Sequence, residues 1–143
     1  MSGSTVDLPL LTVAIPTVRR LGFLREAVAS ACSQDYPSFE VLISDDGNDP
    51  AIQEFGLRAQ QEDGRVRYIR TSGGAGLSGN WNWCADNAQG THLVIIGDDD
   101  RLLPSFLKAL APATLQSDVV FCNHFLIDET GQKIGPTPTN EMT

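Results

Sequence analysis

Residues 93–104 read Leu93-Val94-Ile95-Ile96-Gly97-Asp98-Asp99-Asp100-Arg101-Leu102-Leu103-Pro104. Four consecutive apolar residues imply a buried strand, and three aspartates stop it. Adjacent carboxylates repel one another, and only solvent or a cation relieves the repulsion. A hard divalent ion suits such a loop, since it takes one or two carboxylates and fills its other positions with phosphate oxygens and water. A solvated acidic turn capping the helix that Pro104 opens is the competing reading of the aspartates.

The flanking sequence alternates strand and helix. Leu10 to Ile15 is a short apolar run that Pro16 is expected to stop. Leu21, Leu24, Ala27, Val28, Ala31 and Cys32 recur at helical spacing, and that helix ends before Tyr36-Pro37. Phe39 to Ser44 reads as a second strand, halted by Asp45-Asp46-Gly47. Pro50 to Gln61 reads as a helix with Asp49 as N-cap. Val66 to Ile69 is a third strand, Ser78 to Gln89 a helix closed by Gly90, and Leu93 to Ile96 the fourth strand. Beyond a helix opened by Pro104 and broken or restarted by Pro112, Val119 to Ile127 reads as a fifth strand, with a turn at Gly131. The tail from Gly135 is expected to fray. Alternation of this kind implies an α/β fold, a mostly parallel sheet with helices on both faces. Ligands of such sheets bind at the carboxyl ends of the strands. The second and fourth strands both end there in aspartates.

The composition is that of a globular domain. The 143 residues suit a single domain, with a formal net charge of −8 and a mean hydropathy of −0.11. The acidic balance argues against nucleic acid and anionic membranes as partners. Cys32, Cys84 and Cys122 are odd in number and show no metal-ligand spacing, so they read as small buried hydrophobes of a reducing compartment. The N-terminus has no basic leader and the apolar runs are too short to span a membrane. A cytoplasmic location is expected, peripheral to a membrane at most.

Two further motifs bear on function. Asp45-Asp46-Gly47-Asn48 is a common turn sequence. Placed at a strand end, its carboxylate could instead accept a hydrogen bond from a nucleobase N–H. Gly74-Ala75-Gly76-Leu77-Ser78-Gly79 fits G-x-G-x-x-G, the dinucleotide fingerprint, which supports a rival reading as an NAD-dependent oxidoreductase. Arg67 and Arg70 in the preceding strand, and the longer turn made by Thr71, Ser72 and Gly73, weaken that reading. No Gly-Lys-Ser/Thr follows, so the loop is not a P-loop. A phosphoacceptor receiver domain would need paired acids after the first strand, which here ends in Ile15-Pro16-Thr17.

Five passages in order resemble family 2 glycosyltransferases, from Thr12 over nearly the whole chain. Thr12-Val13-Ala14-Ile15-Pro16-Thr17 resembles the family's first strand and its P-x-Y/F-N turn, with Val18 and Arg19 where the aromatic and Asn usually stand. Ala29 to Val41 resembles S-x-L-x-Q-x-Y-x-x-x-E-V, and Leu42 to Asp49 resembles V-V-D-D-G-S-x-D. Gly76 to Gly90 resembles the G-x-S-x-x-R-N helix, with Trp81 in place of the basic residue. Ile96 to Pro104 resembles the DxD passage, with Gly97 at the usual leading Asp.

The resemblance implies a GT-A, Rossmann-like fold that binds a nucleoside-diphosphate sugar, most commonly of uridine, through Mn2+ or Mg2+. It implies that Pro16, Thr17 and Asp46 adjoin the nucleoside, with Asp46 at the base. Asp98 would lie near the ribose, Asp99 on the metal and Asp100 in support of it. Asn82 would neighbour sugar or phosphate, although helix packing accounts for it, and for Trp81 and Trp83, equally well. The implied reaction is inverting transfer to a saccharide or lipid-linked acceptor hydroxyl. The family's base lies in an acceptor half that this chain is expected mostly to lack. Asp128, Glu129 and His124 are the remaining candidates, the first two reading as a polar turn and His124 as a core histidine. A nucleotide-binding module without transfer activity stays open. An apolar face left uncovered by that missing half would favour a homo-oligomer.

Overall fold

The computed structural model describes residues 7–136. The part of the expected frayed tail at 137–143 lies outside the described residues. Four parallel strands form the central sheet: β1 Leu11–Thr17, β2 Phe39–Asp45, β3 Val66–Arg70 and β4 His92–Ile95, in the order β3-β2-β1-β4. The crossovers are α1 Leu21–Cys32, α2 Pro50–Glu62 and α3 Gly76–Asn87, and α4 Phe106–Thr114 follows β4.

The pleat sorts the core. Leu11, Val13 and Ile15 of β1 and Phe39, Val41 and Ile43 of β2 face one side, where Leu24, Val28, Ile52, Leu107 and Ala111 of α1, α2 and α4 cover them. Ala14 and Leu42 face the other side with Cys84 of α3. Both central strands are therefore buried on two faces and read as continuous apolar runs. Ile15, Leu42 and Ile43 are fully buried, each contributing about 1.5–3 kcal/mol by leaving water. Glu40 is a charged residue within this interior. It takes hydrogen bonds from Thr12 (2.7 Å), Arg67 (2.8 Å) and the Gln89 backbone (2.7 Å), which satisfy a buried charge.

Several boundaries differ from the sequence expectation. Strand β1 passes through Pro16 to Thr17. The Ala14 carbonyl faces β4, accepting from Ile96, whereas Leu11 and Thr17 bond toward β2. Pro16 therefore turns toward β4, whose pairing with β1 stops at Ala14. The missing N–H costs no ladder bond there. Helix α3 starts at Gly76 and is capped by Ala88. Gly90 does not close it; a Cβ there would lie 2.7 Å from the Thr12 nitrogen, so the glycine serves close approach to β1. Pro112 lies inside the last turn of α4 rather than breaking it. Asp49 caps α2 as expected, accepting from Ala51 at 2.9 Å.

The largest departure is the fifth strand. Only Leu126–Ile127 (β5) forms, pairing antiparallel with β6 Lys133–Ile134 around Gly131. Residues 119–125 take no regular structure, and Phe121 is 89% exposed. An apolar run becomes a strand only beside a partner edge, and among the described residues none pairs with it.

Candidate functional site

Three strand ends supply the site. Thr17 ends β1, Asp45 ends β2 with Asp46 next, and Asp98 follows β4 after Ile96 and Gly97. These side chains are buried, Thr17 2% exposed, Asp46 8% and Asp98 4%, and Pro16 before them is half-buried. The Thr17 hydroxyl donates to Asp98 at 2.9 Å. The Thr17 carbonyl accepts from the Asp46 backbone N–H at 3.0 Å. Thr17 thus ties the two acidic strand ends together.

The three aspartates after β4 part company. Asp98 and Asp99 converge on one guanidinium, that of Arg20, with Arg20 Nη1 2.8 Å from Asp99 and Nη2 on Asp98. Asp100 turns back to accept from the Gly97 N–H at 2.8 Å, fixing the loop. Arg20 therefore links Asp98 and Asp99, while Asp99 and Asp100 each bring an oxygen to within about 3 Å of where a Cβ on Gly97 would stand. Partial burial works to lower the Arg20 pKa, but the two aspartates outweigh it and raise it.

Asp45 and Asp46 divide similarly. Asp45 is structural: it accepts from Tyr68 Oη (2.6 Å) and the Gly47 N–H (2.8 Å). Asp46 sits at the N-terminus of α3, accepting from Ala75 N and Gly76 N, both at 2.9 Å, and from the Thr71 hydroxyl. The Thr71 hydrogen bond lowers its pKa most; burial opposes this, and the two backbone donors assist. A carboxylate at a helix N-terminus meets its free N–H groups and the positive end of its dipole. A dinucleotide pyrophosphate would need that same place. The loop also follows β3, an edge strand. Gly74 and Gly76 have φ of 69° and 74°, so they serve the turn. Both features count against the oxidoreductase reading.

Other expected residues stand apart. Asn82 is exposed on α3, beside Trp81 and Trp83, which are 45% and 39% exposed and so are not packed in the core. The anchoring asparagine is Asn80, which donates to the Ser44 carbonyl at 3.1 Å and accepts from the Ser44 hydroxyl at 2.5 Å. His124 is exposed and lies outside any strand, not in a core. Asp128 accepts from Thr130 and Gln132 within the β5–β6 turn. Glu129 is exposed and lines an open cavity of about 440 Å³ with Arg19, Arg20 and Phe23. Cys122 is exposed, contrary to expectation, whereas Cys84 is buried and Cys32 half-buried. Sequence reasoning missed Arg20; its only signal was an adjacent Arg19-Arg20 pair following the first strand of an acidic chain.

Among the described residues no cluster of three or more His, Cys, Asp or Glu could hold a metal by itself. No helix among them is long and apolar enough to cross a membrane.

Solved structures share this backbone. Staphylococcus aureus TarS 1-349 in complex with UDP superposes with a TM-score of 0.63 at 24% identity, over 71% of this chain and 31% of that one. The mannosyltransferase PcManGT from Pyrobaculum calidifontis, in complex with GDP-Man and Mn2+, gives 0.64 at 20% identity, over 76% and 32%. These likenesses establish the GT-A fold. By sequence, the GalNAc(5)-diNAcBac-PP-undecaprenol beta-1,3-glucosyltransferase of Campylobacter jejuni is 29% identical over 125 residues, 87% of this chain and 40% of that protein. Glycosyltransferase GlyG of Streptococcus pneumoniae is 25% identical over 123 residues, 85% and 41% respectively. The chain thus spans about 40% of the length of these two relatives. The family model of Glycosyl transferase family 2 matches residues 12–141, and the chain belongs to that family.

Proposed function

We propose that the chain carries the donor site of a glycosyltransferase that moves a sugar from a nucleoside-diphosphate sugar to an acceptor hydroxyl. The observation that carries this reading is the convergence of Asp98 and Asp99 on a single cationic group, beside Thr17 at the adjoining strand end. Two carboxylates that hold a guanidinium also suit one divalent ion, whose remaining positions a diphosphate and water complete. The donor set therefore fits Mn2+ or Mg2+, with Asp99 as the metal ligand and Asp98 beside it, toward the ribose. Bound there, the ion would neutralise charge on the departing nucleoside diphosphate.

In this reading Thr17 holds Asp98 in place, and Asp100 holds the loop through Gly97. Asp46, supported by Thr71 and α3, presents a carboxylate to the base N–H. Pro16 fixes the backbone that leads into Thr17. The relatives solved with UDP, with UDP-GlcNAc and with GDP-Man and Mn2+ support a nucleotide-sugar donor. Uridine is the first base to test. The acceptor is a saccharide or a lipid-linked saccharide, met at the cytoplasmic face of a membrane in the second case. We assign the inverting general base to none of Asp128, Glu129 or His124; it belongs to an acceptor half outside these residues.

Calorimetric titration of UDP, GDP, dTDP and NAD, with and without Mn2+, tests the assignment on wild type and Asp99→Asn. Metal-dependent binding of one nucleoside diphosphate, lost in the variant, is the expected result. Metal-independent NAD binding would overturn it. Nucleotide binding without sugar transfer by the longest available parent would leave a binding module only.

A further inference from the structure

The acidic pair after β4 shares one cation supplied by the chain itself. Arg20 is the residue immediately before α1, with φ −108° and ψ 62°, and its side chain does not cap that helix. Its guanidinium instead forks between Asp98 and Asp99. The Arg20 side chain is 50% exposed and that of Asp99 46%, so this limb can open without disturbing the core. The Asp98 side chain is 6% exposed and has a second partner in the Thr17 hydroxyl, on its other carboxylate oxygen. Of the arginines nearby, Arg101 is engaged with Glu26 at 2.5 Å and Arg70 with the Gly47 carbonyl at 2.7 Å, whereas Arg19 lines the same cavity as Arg20.

This arrangement conflicts with a divalent ion at Asp99. A guanidinium and a dication cannot share one carboxylate without strong repulsion. Arg20 must leave Asp99 when the ion arrives, and it then needs another anion. A nucleoside diphosphate supplies one, because its oxygens match the planar fork of arginine. The cavity of about 440 Å³ beside Arg20 gives the side chain room to turn.

We propose that Arg20 is an exchangeable counter-ion, holding Asp99 until a divalent ion and a nucleoside diphosphate arrive together, and then pairing with the diphosphate. This rests on the donor-site reading above. Each ligand alone meets resistance: the metal must displace Arg20, and the diphosphate must draw it from the aspartates. Together they give each carboxylate, the diphosphate and Arg20 a partner of opposite charge, so their binding is mutually reinforcing, and by linkage equally in both directions. The effect keeps metal from the site until donor is present.

The test is titration of Mn2+, with free ion read by electron paramagnetic resonance, alone and with saturating UDP or GDP. The proteins are wild type, Arg20→Ala, Arg20→Lys and Asp99→Asn, each checked for folding by circular dichroism. Arg20→Ala is expected to bind Mn2+ alone about five- to a hundredfold more tightly than wild type, the ordinary range of site coupling. The nucleotide should raise Mn2+ affinity in wild type and far less in Arg20→Ala. Arg20→Lys should fall between them, since one ammonium cannot fork across two carboxylates. Unchanged or weaker Mn2+ binding by Arg20→Ala, with Asp99→Asn still losing it, would overturn the counter-ion role and leave the donor site standing. Loss of neither metal nor nucleotide binding in Asp99→Asn would overturn the donor site itself, and the counter-ion role with it.

Discussion

The Thr17 hydroxyl donates to the Asp98 carboxylate at 2.9 Å, joining residues 81 apart in sequence at the ends of two adjacent strands. Thr17→Val keeps the shape and removes this donor from a buried carboxylate. It is expected to destabilise the fold by about 1–3 kcal/mol, the range for a hydrogen bond to a charged group, although Arg20 still bonds Asp98. Urea denaturation measures this. Calorimetry with UDP and Mn2+ should show weaker binding than the stability loss alone explains, because Asp98 is then held by Arg20 alone.

Acid should unfold the chain through specific carboxylates. For Glu40, burial works to raise the pKa, but the hydrogen bonds from Arg67, Gln89 and Thr12 outweigh it and lower it. Asp46 is also lowered, chiefly by Thr71. A carboxylate with a lowered native pKa binds fewer protons folded than unfolded. Its stabilisation is complete above the unfolded value of about 4 and is lost as pH falls through the native value. Urea midpoints should hold from pH 7 to about 5 and then drop. Glu40→Gln should start lower at pH 7 and fall less steeply; an identical profile would clear Glu40 of the acid response.

Two helix glycines should respond oppositely to alanine. At Gly22 in α1 a Cβ meets nothing within 4 Å, so Gly22→Ala should stabilise by about 0.4–1 kcal/mol. At Gly56 in α2 a Cβ would lie 2.1 Å from the ring of Tyr68, whose hydroxyl donates to Asp45. Gly56→Ala should therefore destabilise by about 1–3 kcal/mol despite the better helix former. Thermal melts of the two variants decide it.

Val119 and Phe121 are 65% and 89% exposed, and Leu126 is 57% exposed. An apolar surface of this kind favours association at high concentration. Wild type is expected to sediment with a concentration-dependent coefficient, and Phe121→Ser to sediment as a monomer. A clean wild-type monomer throughout the range would remove the homo-oligomer.

Much of this was legible because local rules and burial agreed. The apolar runs at Val13–Ile15, Val41–Ile43 and Val94–Ile96 lie in or at the ends of parallel strands, and the Asp49-Pro50 pair marked a helix start. Pro16 misled because its effect depends on which neighbour its nitrogen faces, a property of the assembled sheet. Gly90 looked like a cap because its close approach to Thr12 is equally invisible along the chain. The order of aspartates placed two acidic clusters at the carboxyl ends of strands, where they lie, but carried nothing of their pairing. Arg20 reaches Asp99 across 79 positions, and periodicity carries no trace of such a contact. Glu40 could have been found, since a lone charge in an apolar strand demands partners.

The strand order also sets a sequence of events in time. Strand β1 meets β2 across 28 residues, as in the Thr12–Glu40 bond, but meets β4 across about three times that separation. Closing the longer loop costs more chain entropy, so β4 is expected to dock after β1, β2 and β3 have condensed. The aspartates that follow β4 reach Thr17 and Arg20 only then, which makes the proposed donor site a late product of folding. Val94→Ala should mainly accelerate unfolding in stopped-flow measurements, whereas Val13→Ala should slow refolding. Equal φ-values at the two positions would place β4 in the nucleus instead. With β4 last, an undocked chain would carry a formed core and an open binding edge, so partial unfolding would silence the site long before it destroyed the domain.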